Sequence, residues 1–191
     1  MIKVIENGNK GVFQHGQSTQ NIIFDLFGVL VIQESPHQLQ QRIARGLRGP
    51  SIRPVNLAGT LRLLQLCKDS GHRLFALSNL SIKKYNEMLL SPELNSLLSF
   101  FDDVILSEMT PYKKPDPSLF AYLCDKHNLN MSDCIFIDDQ ADNIDGAHMA
   151  GIARTILSQD FDLERIRLRL FEFGILPFGK QCDIDLKTGR A

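Results

Sequence analysis

Residues 21–32 read NIIFDLFGVLVI, an apolar run with an acid set into its middle. Asn21 opens it, Ile22, Ile23 and Phe24 follow, and Asp25 interrupts before Leu26, Phe27, Gly28 and further aliphatics close it. A short run of this kind suits a strand buried on both faces of a parallel sheet. A carboxylate at the end of such a strand loses hydration, which raises its pKa unless cations or donors hold it. Asp25 therefore implies a partner or a task that the rest of the chain has to supply.

Similar runs recur along the chain: RLFALS at 73–78, DVILS at 103–107, CIFID at 134–138 and ARTIL at 153–157. Helical patterns lie between them. Residues 56–70 place Leu57, Leu61, Leu64 and Cys67 on one stripe, with Gly71 as the stop, and residues 117–128 and 140–150 read as two more helices, the second ended by Gly151. Strands alternating with helices predict an α/β fold, a three-layer Rossmann-like arrangement around a parallel sheet, with ligands at the carboxyl ends of the strands. Residues 31–55 break the rhythm. They predict a small helical insertion over about 37–48, closed by Gly49 and Pro50. Residues 1–20 are expected to form an N-terminal arm and residues 174–191 a C-terminal tail, all within a single domain, a size that 191 residues suit.

Bulk charge narrows the function by exclusion. With 21 basic and 22 acidic residues the formal net charge is -1, which offers no general attraction for nucleic acid or an anionic membrane. Neither is expected as a partner. Cys67, Cys124, Cys134 and Cys182 form no CxxC pair, and three of them lie in apolar segments, the pattern of reduced thiols packed as small hydrophobes. No apolar run approaches the roughly 20 residues that span a bilayer, and the first twenty residues lack a hydrophobic signal core. A soluble, cytoplasmic protein is the expectation.

Four predicted strand ends, or the loops just after them, carry polar chemistry: Asp25, then Ser78-Asn79, then YKKPDP with Lys114, then Asp138-Asp139 followed by Asn143 and Gly146. In a parallel sheet these ends lie side by side and share one crevice. Three carboxylates so close repel one another unless a cation joins them, and a hard divalent ion such as Mg²⁺ suits oxygen ligands. Taken singly, each feature has an ordinary explanation, since acids also cap helix N-termini and a lysine before proline is commonly a solvated loop residue. Arg42, Arg45, Arg48 and Arg53 are expected on a solvated face, and none of the five histidines shows ligand spacing.

FDLFGVL, LSNLS, KKPDP and FIDDQADNIDGAHMAGI, in that order, resemble the four motifs of the haloacid dehalogenase (HAD) superfamily over residues 21–157. The branch most similar is the one containing glucose-1-phosphate phosphatases and the phosphatase domain of epoxide hydrolases. The resemblance implies Asp25 as nucleophile, forming an aspartyl phosphate, with Ser78 and Asn79 holding the transferring group. It further implies that Lys114 neutralises that group and orients Asp25, that Asp138 and Asp139 hold Mg²⁺ together with Asp25 and the Phe27 backbone carbonyl, and that Asn143 shapes the pocket. The implied substrate is a small phosphorylated metabolite, a sugar phosphate among the candidates.

Two departures from the family pattern bear on activity. The phosphatase form of the first motif is D-x-D, its second Asp acting as acid and base, whereas here that position is Phe27. General acid–base catalysis is typically worth about 10² to 10⁴ in rate, so slow turnover of poor leaving groups is expected. The insertion is also shorter than the helical cap of capped relatives, and a truncated cap leaves the site open to be covered by a larger substrate or by a second subunit in a homodimer. The alternatives are a hydrolase of halogenated acids, whose relatives also carry an aromatic residue at the Phe27 position, and a binding or regulatory protein that kept the fold and lost turnover.

Overall fold

The structure is a computed structural model and describes residues 19–47 and 51–177. In chain order the elements are β1 (Asn21–Phe24), β2 (Val31–Gln33), α1 (Pro36–Ala44), β3 (Ile52–Pro54), α2 (Leu57–Asp69), β4 (Arg73–Ser78) and α3 (Ile82–Leu89), followed by α4 (Pro92–Leu98), β5 (Asp103–Leu106), α5 (Pro117–His127), β6 (Cys134–Asp138), α6 (Ala141–Ala150), β7 (Arg154–Leu157) and α7 (Leu163–Glu172). Five strands form one sheet in the order β5-β4-β1-β6-β7, every neighbouring pair parallel. All five predicted runs are strands of this sheet.

Its layers follow from the period-2 alternation of a strand. Ile22 and Phe24 of β1, Leu74 and Ala76 of β4, and Ile135 and Ile137 of β6 pack on one side with Leu63, Leu64 and Cys67 of α2 and Ile166 and Leu170 of α7. Ile23, Phe75, Leu77 and Phe136 face the other way, against Leu119, Phe120 and Leu123 of α5 and Ile144 and Ala147 of α6. Both faces of the sheet are thus covered, which explains why the strands read as continuous apolar runs. The fold is the expected α/β Rossmann-like one. The chain builds outward from β1 through β4 to β5, then crosses back to add β6 and β7 on the other side, so the order reverses at β1. A crevice opens at the carboxyl end of a sheet where the order reverses.

The insertion after β1 differs from the expectation. It is not simply helical: β2 and β3 pair antiparallel, Val31 opposite Pro54 and Gln33 opposite Ile52, and α1 is carried between them. Ser35 and Gln38 close a capping box at the start of α1 and Pro36 occupies the first turn, so the helix begins one residue before the predicted start. Arg42 and Arg53 do not stand as free charges on this insertion, since Arg42 Nε lies 2.8 Å and Arg53 Nε 3.6 Å from the Glu34 carboxylate. Helices α3, α4 and α7 were not anticipated. Residue 174 onward is anchored at its start, with Ile175 and Leu176 buried and the Ile175 carbonyl 2.9 Å from His72 Nε2. The N-terminal arm through residue 18, the tail from residue 178, and Arg48, Gly49 and Pro50 lie outside the described residues.

Candidate active site

Register places the acids. Phe24 of β1 pairs with Ala76 of β4 and with Ile137 of β6, and the Asp25 N–H continues the ladder by donating to the Ile137 carbonyl at 2.8 Å. One residue further on, Asp25 stands beside Asp138, and Ser78, two residues past Ala76, ends β4 on the opposite flank. Lys114 enters from the loop between β5 and α5. Its backbone is clamped to Asn79 by two hydrogen bonds, the Lys114 N–H donating to Asn79 Oδ1 at 2.9 Å and Asn79 Nδ2 donating to the Lys114 carbonyl at 2.8 Å. Asn79 thus positions the loop as well as lining the pocket.

The Lys114 ammonium reaches Asp138 Oδ2 at 2.7 Å and Asp25 Oδ1 at 3.0 Å. Asp138 Oδ1 also accepts from the Gln140 N–H and from Asn143 Nδ2, both at 2.9 Å, and Asp25 Oδ1 accepts from the Leu26 N–H at 2.7 Å. Asp25, Ser78, Lys114, Asp138 and Asn143 are all buried, Asp138 completely. Such groups tolerate burial only when mutually satisfied.

Asp139 is the exception. Its Oδ1 is buried and has no hydrogen-bond partner, and Asp25, Asp138 and Asp139 each place one carboxylate oxygen within 4.8 Å of the others. Burial, and then the neighbouring Asp138 charge, push the Asp139 carboxyl above its usual range by more than Lys114 offsets. Burial likewise raises Asp25; Lys114 pulls it down, Asp138 pushes it up again, and hydrogen bonds from Lys114 and Ser78 do not restore the ordinary value. One lysine does not balance three carboxylates, and the three oxygens converge as a hard cation's ligands would. The residues present fit Mg²⁺.

Two glycines make room for this cluster. Gly28 has φ +87°, and a Cβ there would stand 2.2 Å from Asp139 Oδ2. At Gly146 on α6 a Cβ would stand 2.0 Å from the Pro115 carbonyl, so the absent side chain lets α6 press against the loop that carries Lys114.

A cavity of about 290 Å³ opens over these groups, lined by Asp25, Phe27, Ser78, Asn79, Lys114 and Asn143 together with Leu80, Lys84 and Gln140. The structure therefore brings the sequence-predicted residues to one place. It also adds Lys84 and Gln140, which the sequence reading did not assign. Gln140 sits inside the fourth motif, but Lys84 depends on α3, whose start is marked only by Ser81 capping the Lys84 N–H.

The sheet order and this crevice define a doubly wound α/β protein with its polar groups gathered at the point where strand order reverses. The chain belongs to the haloacid dehalogenase-like hydrolase family, whose profile matches residues 52–151, just over half of its length. That segment contains Ser78, Asn79, Lys114, Asp138, Asp139 and Asn143, whereas Asp25 and Phe27 precede it and join the site through the register of β1.

Solved structures with the same fold include an uncharacterized protein from Corynebacterium glutamicum (24% identity, TM-score 0.57, covering 85% of this chain and 99% of that one). A HAD phosphatase from Thermococcus onnurineus is similar at 14% identity and TM-score 0.60, over 80% of this chain and 98% of its own. A putative beta-phosphoglucomutase from Thermotoga maritima matches at 16% identity and TM-score 0.56, over 77% of this chain and 91% of its own. At these identities the likeness is one of fold. Among the described residues no helix is long and apolar enough to cross a membrane.

Proposed function

We propose that this hydrolase is a Mg²⁺-dependent phosphatase that works through a phosphorylated Asp25 on a small phosphorylated metabolite. The observation that carries the reading is the convergence of Asp25, Asp138 and Asp139, with Asp139 Oδ1 buried and unpartnered. Asp25, Asp138, Asp139 and the Phe27 carbonyl would hold the ion, which when bound supplies the positive charge that lets an anionic nucleophile approach an anionic phosphoryl group.

The protein's own groups do the rest. An Asp25 carboxylate oxygen attacks phosphorus, the bond from phosphorus to the leaving oxygen breaks, and an aspartyl phosphate forms. Water then attacks that phosphorus, releasing inorganic phosphate and restoring the carboxylate. Lys114, fixed by its bonds to Asp25 and Asp138, aims the nucleophile and lowers the charge it must bring to phosphorus. Ser78 and Asn79 line the cavity beside Asp25 and offer a hydroxyl and an amide to the transferring oxygens. Phe27 gives the leaving oxygen no proton, so good leaving groups are favoured.

Hydrolysis of halogenated acids fits less well, because the charges on Asp138 and Asp139 repel a carboxylate substrate. The deciding assay is release of an activated aryl alcohol from its phosphate, with Mg²⁺, with chelator, and in Asp25→Asn. Turnover that needs the metal and disappears in the variant supports the reading. Turnover indifferent to both refutes it.

A further inference from the structure

Lys84 lines the same cavity as Lys114, yet the two lysines are matched very differently. Lys114 is 3% exposed and is paired with two carboxylates. Lys84, half-buried on α3, has neutral company: its ammonium lies 4.8 Å from the centroid of the Phe27 ring and donates to the side-chain carbonyl of Gln33, an exposed residue of β2. Among the described residues no carboxylate lies within ion-pair distance of it. A cation over an aromatic face at a partly exposed position is held by only about 0.5 to 1 kcal/mol, and the flexible lysine stem lets the charge move toward a better partner.

Burial orders the two charges. Lys114 is a buried residue of the cavity wall, whereas Lys84 is a half-buried one bonded to exposed Gln33. At about 290 Å³ the space suits a small metabolite. Charge points the same way. Lys114 and a divalent ion together would balance the three site carboxylates, and Lys84 lines the cavity with no carboxylate partner among the described residues.

We propose that Lys84 binds a second anionic group on the substrate, so that the preferred substrates carry a carboxylate or a further phosphate a few bonds from the phosphate to be transferred. This deepens, and rests on, the phosphatase reading above. It makes Lys84 a specificity-determining residue, linked through Gln33 to the insertion and through Phe27 to the turn that follows β1 and carries Asp25.

The test uses phosphonates, whose C–P bond cannot leave. Binding of 2-carboxyethylphosphonate, and of homologues with longer methylene spacers, is compared by calorimetry with that of the matching neutral amides, in Mg²⁺, for the wild type, Lys84→Met, Lys84→Gln and Lys84→Arg. The expected result is that the best carboxylate homologue binds the wild type roughly 10- to 100-fold more tightly than its amide, the worth of a charge-assisted hydrogen bond. That preference collapses in Lys84→Met and Lys84→Gln and is largely kept in Lys84→Arg. If Lys84→Met does not fold, the Gln and Arg variants decide alone. Equal binding of acid and amide by the wild type, a preference that survives loss of the charge, or failure of every phosphonate to bind overturns the proposal. Aryl phosphate turnover, measured in parallel, reports separately on the phosphatase reading: turnover without an acid preference defeats only the role of Lys84, and an acid preference without turnover defeats only the phosphatase.

Discussion

The Lys114 ammonium stands 2.7 Å from Asp138 Oδ2, and both side chains are sealed from solvent. A buried pair of this kind is expensive to break, because removing one partner leaves the other charge uncompensated, at a cost of about 3 to 5 kcal/mol. Lys114→Met should lose stability of that order in chelator, measured by urea unfolding, and should recover part of it in Mg²⁺, which supplies the missing positive charge. A variant as stable as the wild type in chelator would show that Lys114 does not neutralise Asp25 and Asp138.

Asp139 should behave in the opposite sense. Its carboxylate adds repulsion to the site and its Oδ1 has no donor. In chelator, Asp139→Asn should therefore be at least as stable as the wild type. With Mg²⁺ the order should reverse, since an ion that binds only the folded state stabilises it by about 2.7 kcal/mol at a hundredfold excess over its dissociation constant, and the variant should lose most of that gain. Melting curves across a Mg²⁺ titration read both effects.

The leaving-group dependence should be steep. With Phe27, which has no proton to give, in the cavity wall, alkyl phosphates should turn over more slowly than aryl phosphates by a margin that includes the typical 10² to 10⁴ of general acid catalysis. Phe27→Asp should narrow the margin. An unchanged slope would show that residue 27 does not face the leaving group.

Away from the site, Asp103 at the start of β5 joins that edge strand to α5 through Lys126 Nζ at 2.8 Å and His127 Nε2 at 2.7 Å. Burial alone would raise its carboxyl, but hydrogen bonds from Lys126 and His127, helped by the Val104 N–H, outweigh that and hold it below the ordinary value of 3.8. An acid depressed in the folded state contributes stability that is complete above its unfolded value and is lost as pH falls through the folded one. Asp103→Asn should therefore lower the urea midpoint at pH 7 and converge with the wild type below that acidic window. A difference that persists unchanged into strong acid would point to packing, not charge.

Much of the fold was legible because both sheet faces are covered. Strands such as LFAL and IFI are apolar at every position, and runs of that length between capped helical patterns can hardly be anything else. The insertion was misread for a physical reason: β2 and β3 have three residues each, and their pairing lies about twenty residues apart in the chain, so no local period announces them. Helices α3 and α4 were missed although Ser81, and Ser91 followed by Pro92, are ordinary N-cap signals. At the site, the acids were readable from their places at strand ends and Lys114 from the loop that follows β5. Lys84 was not, because its approach to the cavity depends on how α3 sits over Phe27, a tertiary relationship with no mark in the local sequence.

The central claim is that Asp25, beside Asp138 and Lys114, attacks phosphorus, and trapping the enzyme in mid-reaction tests it most directly. The protein is quenched during turnover of an aryl phosphate in Mg²⁺, treated with borohydride to reduce any acyl phosphate, and mapped by peptide mass spectrometry. Reduction is expected at residue 25, dependent on Mg²⁺ and on substrate, and absent in Asp25→Asn. Steady phosphate release with residue 25 unmodified, or with the modification on another side chain, would contradict it.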